Sequence, residues 1–323
     1  MTSLLCPHDD PGLLLWSALH VGSMHGRSVV VSSRVLLDQS PIGVLADVTI
    51  QAGGELVFGQ ADGLLLRAER IRVRGQLTIG SEDCQRTSAA TIELHGARDA
   101  SGGDAAWGSK FLLVEGGGTL ELHGALAGPS WARLAATVHP GSYTVDLDAD
   151  LGSSSSSSSS SAWKAGDEIV LAMTDWHGAG HPNEAEQHTI AARTGARRLT
   201  LTAPARYRHY AGASGQWDDW VRGEVGLLSR PIRVQGSDDA AAHADGFGGH
   251  SLFLAGSTVH VAGVQFLRMG QAGLDARYPF HWHHASSVAG SYLRTSAIVS
   301  SYNRCVVVHR THRCATLIPR HCD

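Results

Sequence analysis

The sequence lacks most of the features that would settle its class at once. Charged residues make up 17% of its 323 positions and aromatics 6%. No stretch approaches the roughly 18 consecutive apolar residues of a membrane span. The early apolar run "LLLW" is too short for the core of a signal peptide and follows two acids, Asp9 and Asp10, so the chain reads as soluble and without an export signal. The five cysteines, Cys6, Cys84, Cys305, Cys314 and Cys322, are scattered, odd in number and without a CxxC pair. That pattern argues against a disulfide framework or a zinc knuckle and leaves the redox compartment open. The two asparagines, Asn183 and Asn303, sit in no glycosylation sequon. A formal charge of −4 gives no overall attraction to a polyanion, so nucleic acid is not expected as a partner. G-x-S-x-G, HExxH, Walker and GxGxxG motifs are all missing, and no long 3.6-residue period with caps marks a helix.

What is present is glycine, 38 residues of it, together with short alternating apolar segments. This suits an all-β chain with many tight corners. "GELVFG" (54–59) recurs as "GQLTIG" (75–80) and as "GTLELHG" (118–124). Leu56 and Phe58 thus correspond to Leu77 and Ile79, then to Leu120 and Leu122, while Val48 and Ile50 recur as Ile71 and Val73. Equivalent positions at such spacing predict stacked coils of a β-solenoid. A sandwich of hairpins would alternate too, but its Asn-Gly turns are missing. Nine consecutive serines (153–161) cannot bury enough apolar surface to offset their ordering entropy, and are expected to form a disordered, dispensable loop inserted between strands. Strand patterns resume in "SLFLAGSTVHVAGVQFLRMG" and "SAIVSSYNRCVVVH".

Two stretches carry chemistry. In "DARYPFHWHH" (275–284) an extended backbone points His281 and His283 one way and Phe280, Trp282 and His284 the other. Two imidazoles about 7 Å apart on one strand face suit a metal ion or proton transfer. The competing reading is ordinary surface or core histidines. In "KAGDEIVLAMTDWHGAGHPNEAEQHTI" the acids Asp175, Glu184 and Glu186 suggest cation binding or acid–base work, with Glu186 the best candidate, although most carboxylates at strand ends are simply solvated. Basic residues interleave with aromatics in "ARYRHY", beside Trp217 and Trp220, and in "NRCVVVHRTHR". That mixture fits acidic sugars, gripped by guanidinium and stacked on flat rings.

Read in order, "PSWARLAATV", "AGDEIVLAMTD", "NEAEQHTI", "EVGLLSRPIRVQG", "GGHSLFLAG", "FLRMGQAG", "RYPFHWH", "GSYLRTSAI" and "YNRCVVVHRTH" resemble the G8-domain family, which includes cell-surface hyaluronan-binding proteins, hyaluronidases and fibrocystin-like receptors. The resemblance covers roughly residues 10 to 312. It implies an all-β solenoid in which a G8 domain (10–150) is stacked on the start of a right-handed parallel β-helix (163–312). The serine insertion (151–162) lies between them, and a divergent tail (313–323) gives the end the look of a truncation. It implies an extracellular or cell-surface protein that binds an acidic polysaccharide such as hyaluronan and, as a further expectation, cleaves it. The alternative is a non-catalytic adhesion or receptor ectodomain.

The family's Arg-Tyr-Pro-x-His-x-His pattern maps to Arg277, Tyr278, Pro279, His281 and His283, and a histidine one coil later maps to His309. His281, His283 and His309 are therefore the expected ligands of a divalent metal, calcium or zinc. His281, His283, Glu186 and Arg277 are the expected catalytic residues, and Arg277, Tyr278, Trp282 and Arg304 the expected substrate contacts. The sequence departs from the family at Ala276 and Arg310, where glycine is usual.

Overall fold

The computed structural model describes residues 6–98, 106–126, 128–152, 163–176, 178, 180, 182–212, 221–312 and 316–318. The chain forms two units, one of residues 1–125 with 230–323 and one of residues 126–229.

The first unit is a parallel β-solenoid. Its first wall stacks Leu14–Leu15, Arg34–Leu37, Glu55–Phe58, Gln76–Ile79, Thr119–His123, Thr258–Ala262, Tyr292–Arg294 and Thr316–Ile318, every pair parallel. A curled second sheet supplies the other two walls, because Leu64–Val73 bends between them. Its early residues pair with Ala90–Leu94 and its later ones with Phe111–Val114. One coil runs from Thr258–Ala262 through Val264–Leu267 and Phe280–Ser287 back to the first wall at Tyr292–Arg294.

The repeat seen in the sequence is this stack. Leu56 pairs with Leu77, Leu77 with Leu120 and Leu120 with Val259, all buried in one core. Val48 and Ile50 lie beside Ile71 and Val73 on another wall. A one-residue slip would turn every one of these side chains outward, so the apolar ladder fixes the register. Gly75 opens one repeat where the chain passes directly over the coil below. A Cβ there would overlap the carbonyl oxygens of Gly54 and Gln51, which excludes any side chain.

Two findings depart from the sequence reading. The body is not one continuous solenoid: residues 126–229 leave it between Thr119–His123 and Ile232–Gly236. They form a six-stranded antiparallel sheet, ordered Trp131–Arg133, Glu224–Leu227, Glu168–Leu171, Glu186–Arg193, Arg198–Leu201 and Thr144–Asp146. This sheet has its own core around Trp163, Ile169, Leu171, Leu199 and Val225. Position 150 thus falls inside a unit and not at a boundary, and the serine run lies outside the described residues. The solenoid ladder continues across the insertion, with Ile92 beside Val234. Cysteine also does more than its spacing suggested. Cys6 and Cys84 are bonded across 78 residues of chain, and Cys305 is disulfide-bonded as well.

Candidate functional site

The strand Phe280–Ser287 alternates as its sequence requires. Phe280 and Trp282 turn into the core, packed on Phe253 with ring centroids 4.5 and 5.9 Å away. Trp282 is fully buried (0% exposed), so it is a core residue and not the sugar platform expected of it. His281 and His283 turn outward. In the next coil Val307 pairs with His281 and His309 with His283, which brings the three imidazoles together. One nitrogen from each lies within 4.8 Å of the others. His284 does not follow the alternation. Its φ is +50°, the ladder shifts register just after it, and its ring sits 4.4 Å from His283 and 5.0 Å from His309. A fourth imidazole therefore joins the group. Ala276 and Arg310 likewise hold positive φ of 63° and 49°, a conformation that costs a residue with a Cβ about 1 kcal/mol or more.

The electrostatics favour the neutral form of His281 and His283. His281 is 1% exposed. Its Nδ1–H donates to the Ala276 carbonyl at 3.2 Å, which leaves Nε2 as a bare lone pair, buried and without a partner. His283 Nδ1 is also buried and unpartnered. Burial pushes His281 down to about 4, helped by the neighbouring imidazoles. Burial lowers His283 as well, with His284, His309 and Arg310 adding to the effect. Buried polar atoms without partners are uncommon in folded proteins. Two of them, on neutral imidazoles that converge, suit a metal accepting nitrogen ligands.

The other expected residues fall in different places. Arg277 Nη2 donates to the Ala106 carbonyl at 3.0 Å, and Nη1 lies 3.3 Å from His250 Nε2. That nitrogen donates to the Trp107 carbonyl at 3.1 Å. Full burial, with the Arg277 charge beside it, pushes His250 down to about 3. Arg277 thus pins the 106–107 segment against the solenoid, and Trp107 meets His283 edge-on at 5.9 Å. No local motif marked Trp107, because it lies far upstream and reaches the site through stacking of coils. Tyr278 is buried with its ring 4.9 Å from His281, a prop for that imidazole where an exposed sugar contact was expected. Arg304 is exposed.

Glu186 belongs to the antiparallel unit. Its oxygens accept from the backbone N–H groups of Arg206 (2.8 and 3.0 Å) and Tyr207 (2.9 Å) and meet His209 Nε2 at 2.9 Å. His188 Nε2 stands 3.4 Å from the second oxygen. Burial pushes this carboxyl upward, but the bonds from His209, Tyr207 and Arg206 outweigh it, and the net shift is downward. A carboxylate so fully engaged anchors the turn at 206–207 and has little capacity left for the acid–base role expected of it.

Two family models match the chain, "G8 domain" over residues 16–135 and "CEMIP beta-helix" over residues 246–316. The second spans both strands that bear the histidines. A G8 domain-containing protein of Dictyostelium discoideum is 32% identical over 288 residues, covering 89% of this chain and 23% of that protein. Fibrocystin-L of Mus musculus is 32% identical over 324 residues, covering 86% of this chain and 7% of its own length. The chain spans roughly a fifth to a quarter of the length of the first curated relatives it matches. Among solved structures, the Gp54 tailspike of Acinetobacter baumannii bacteriophage AP22, in complex with capsular saccharide, aligns over 89% of this chain and 40% of its own at 10% identity. Its TM-score of 0.24 is too low to bear on fold or ligand.

Proposed function

From the premise that this chain belongs to the G8-domain family, we propose that its solenoid binds an acidic polysaccharide such as hyaluronan, and cleaves it, at a metal-dependent site on the outer wall. The observation that carries this reading is the group of three imidazoles within 4.8 Å, two of them with buried, unpartnered nitrogens. His281, His283 and His309 hold the ion. An all-nitrogen donor set suits zinc and offers none of the oxygen ligands that calcium needs. Bound there, such an ion supplies Lewis-acid polarisation of a sugar oxygen.

The chain's own groups do the rest. Arg310 and Arg304, both exposed, offer guanidinium to the uronate carboxylates. Trp107, held by Arg277 and His250, walls one side of the group. The exposed His284 can exchange a proton with the glycan. The disulfide between Cys6 and Cys84 supports an extracellular setting, and no described helix is long and apolar enough to cross a membrane.

Calorimetric titration with zinc and calcium, followed by size analysis of hyaluronan with and without chelator, tests this. Zinc should bind at about one ion per chain and calcium should not. His283→Ala should abolish uptake while costing less than about 1 kcal/mol of stability, since the side chain is partly exposed. Absence of zinc binding in the parent protein would sink the metal site. Zinc binding with hyaluronan bound but left intact would move the chain to the adhesion-receptor alternative.

A further inference from the structure

The outer side of the first wall carries a second polar group with a different character. Thr78, Glu121, His260 and Tyr292 are direct ladder neighbours, so their side chains form a row across successive coils. The row floors a cleft of about 490 Å³, a volume typical of small-ligand sites, with Pro7 and Glu82 on the rim. The Cys6–Cys84 bond ties those two rim segments together.

Almost every donor in the row is already spent on a carboxylate of the protein. The Tyr292 hydroxyl donates to Glu82 at 2.8 Å and the Thr78 hydroxyl to Glu55 at 3.2 Å. Nδ1–H of His260 and Nε2–H of His123 donate to the two oxygens of Glu121, each at 2.7 Å. With a proton on Nδ1 bonded to Glu121, the other ring nitrogen of His260, Nε2, is the one left to accept from a ligand. The Glu82 carboxylate is 64% exposed, with Arg294 Nη1 3.7 Å from one of its oxygens, and the phenol oxygen keeps its lone pairs. The Tyr292 ring is itself covered, stacked on His260 at 4.8 Å with the Arg294 guanidinium 3.9 Å from its centroid. What the row presents is therefore a set of acceptors on a negative floor, with the Gln76 amide and the Ser81 hydroxyl as the donors elsewhere in the lining. No lysine or arginine is among the cleft's described lining residues, and the Arg294 guanidinium beside it is committed to Glu82.

We propose that this cleft is a second binding site, for a hydroxyl-rich sugar that carries no acid group. Sugar hydroxyls supply the donors the row lacks, to His260 Nε2, to Glu82 and to the Tyr292 oxygen. A uronate would meet Glu82 and Glu121, and the neighbouring Arg294 guanidinium is already paired with Glu82, so the repulsion is only partly offset. The site stands apart from the histidine group and does not depend on the metal reading.

Saturation-transfer NMR on the whole chain, with chelator present to silence the histidine group, provides the test. The probes are a short neutral glucose oligomer and the glucuronic acid oligomer of the same linkage. The neutral oligomer should bind at least about tenfold more tightly than the acid, and His260→Ala should weaken it about tenfold or more. Tyr292→Phe keeps the packed ring and removes only the hydroxyl, so it reports on binding even if the first variant unfolds, and it too should weaken the neutral sugar. No binding of the neutral oligomer, equal binding of both oligomers, or neutral binding unchanged in Tyr292→Phe would overturn the proposal.

Discussion

In the antiparallel unit, His209 spends both ring nitrogens, one on Glu186 and the other on the Ala172 carbonyl. In the solenoid, His281 spends one on Ala276 and leaves the other buried and bare. Both rings are almost completely buried and both stand among other titratable groups. The difference lies in what surrounds them. The turn at 206–207 brings backbone donors and a carboxylate that close the network around His209. Around His281 the outer wall brings more imidazoles and the Tyr278 ring, and none of the described residues bonds its Nε2. Histidine content therefore says little about function in this chain. Unspent hydrogen-bonding capacity at a buried site says more.

If the antiparallel network is structural, cutting it should destabilise. Glu186→Ala leaves His209 and two backbone N–H groups buried without an acceptor, and should cost about 3–5 kcal/mol. Denaturant titration with a tryptophan probe would measure the loss. A change under about 1 kcal/mol would break the contrast drawn here and return Glu186 to the list of catalytic candidates.

The solenoid should respond to its own core. Leu77, buried between Leu56 and Leu120, should cost about 2–5 kcal/mol when replaced by alanine. Following both variants by hydrogen exchange sharpens the comparison. Leu77→Ala should raise exchange first in the solenoid ladders, and Glu186→Ala first in the antiparallel sheet. Identical exchange patterns would mean that the two units unfold as one.

The smallest effect is a slope. His250 is held neutral, with its pKa lowered to about 3 by burial and by Arg277, whereas in the unfolded chain it takes a proton near its ordinary 6.5. Its contribution is complete above that ordinary value and is lost as pH falls toward 3, because the unfolded state then binds the extra proton. The slope from this one group is roughly 1.4 kcal/mol per pH unit. His250→Gln, which cannot titrate, should flatten the acid limb of the stability curve. An unchanged limb would show that other groups set it.

Much of the solenoid was legible because its physics is periodic. Leu56, Leu77 and Leu120 announce one another in sequence and meet in space. The inserted unit was not legible, since antiparallel strands such as Glu168–Leu171 alternate just as solenoid strands do, and nothing in a short apolar pattern reports its pairing partner. At the histidines, alternation correctly separated His281 and His283 from Phe280 and Trp282. It could not say that the aromatic face was the core, which is why Trp282 was mistaken for a sugar contact. His284 escaped because a positive φ on a non-glycine residue leaves no mark in sequence. Trp107 and the pairing of Cys6 with Cys84 depend on which coil lies over which, information held by the whole stack.

The bond between Cys6 and Cys84 also decides how the molecule bears force. A solenoid pulled along its chain sheds coils one at a time, since each coil is held only by its neighbours. Tension arriving from the N-terminal side of Cys6 passes through the sulfur bridge straight to Cys84 and bypasses every strand between them. The strands from Arg34–Leu37 to Gln76–Ile79 then hang slack inside a covalent loop, and peeling can start only at the coil beyond it. The cleft whose rim that bridge fastens would keep its rim segments joined under a load that strips an unbridged solenoid.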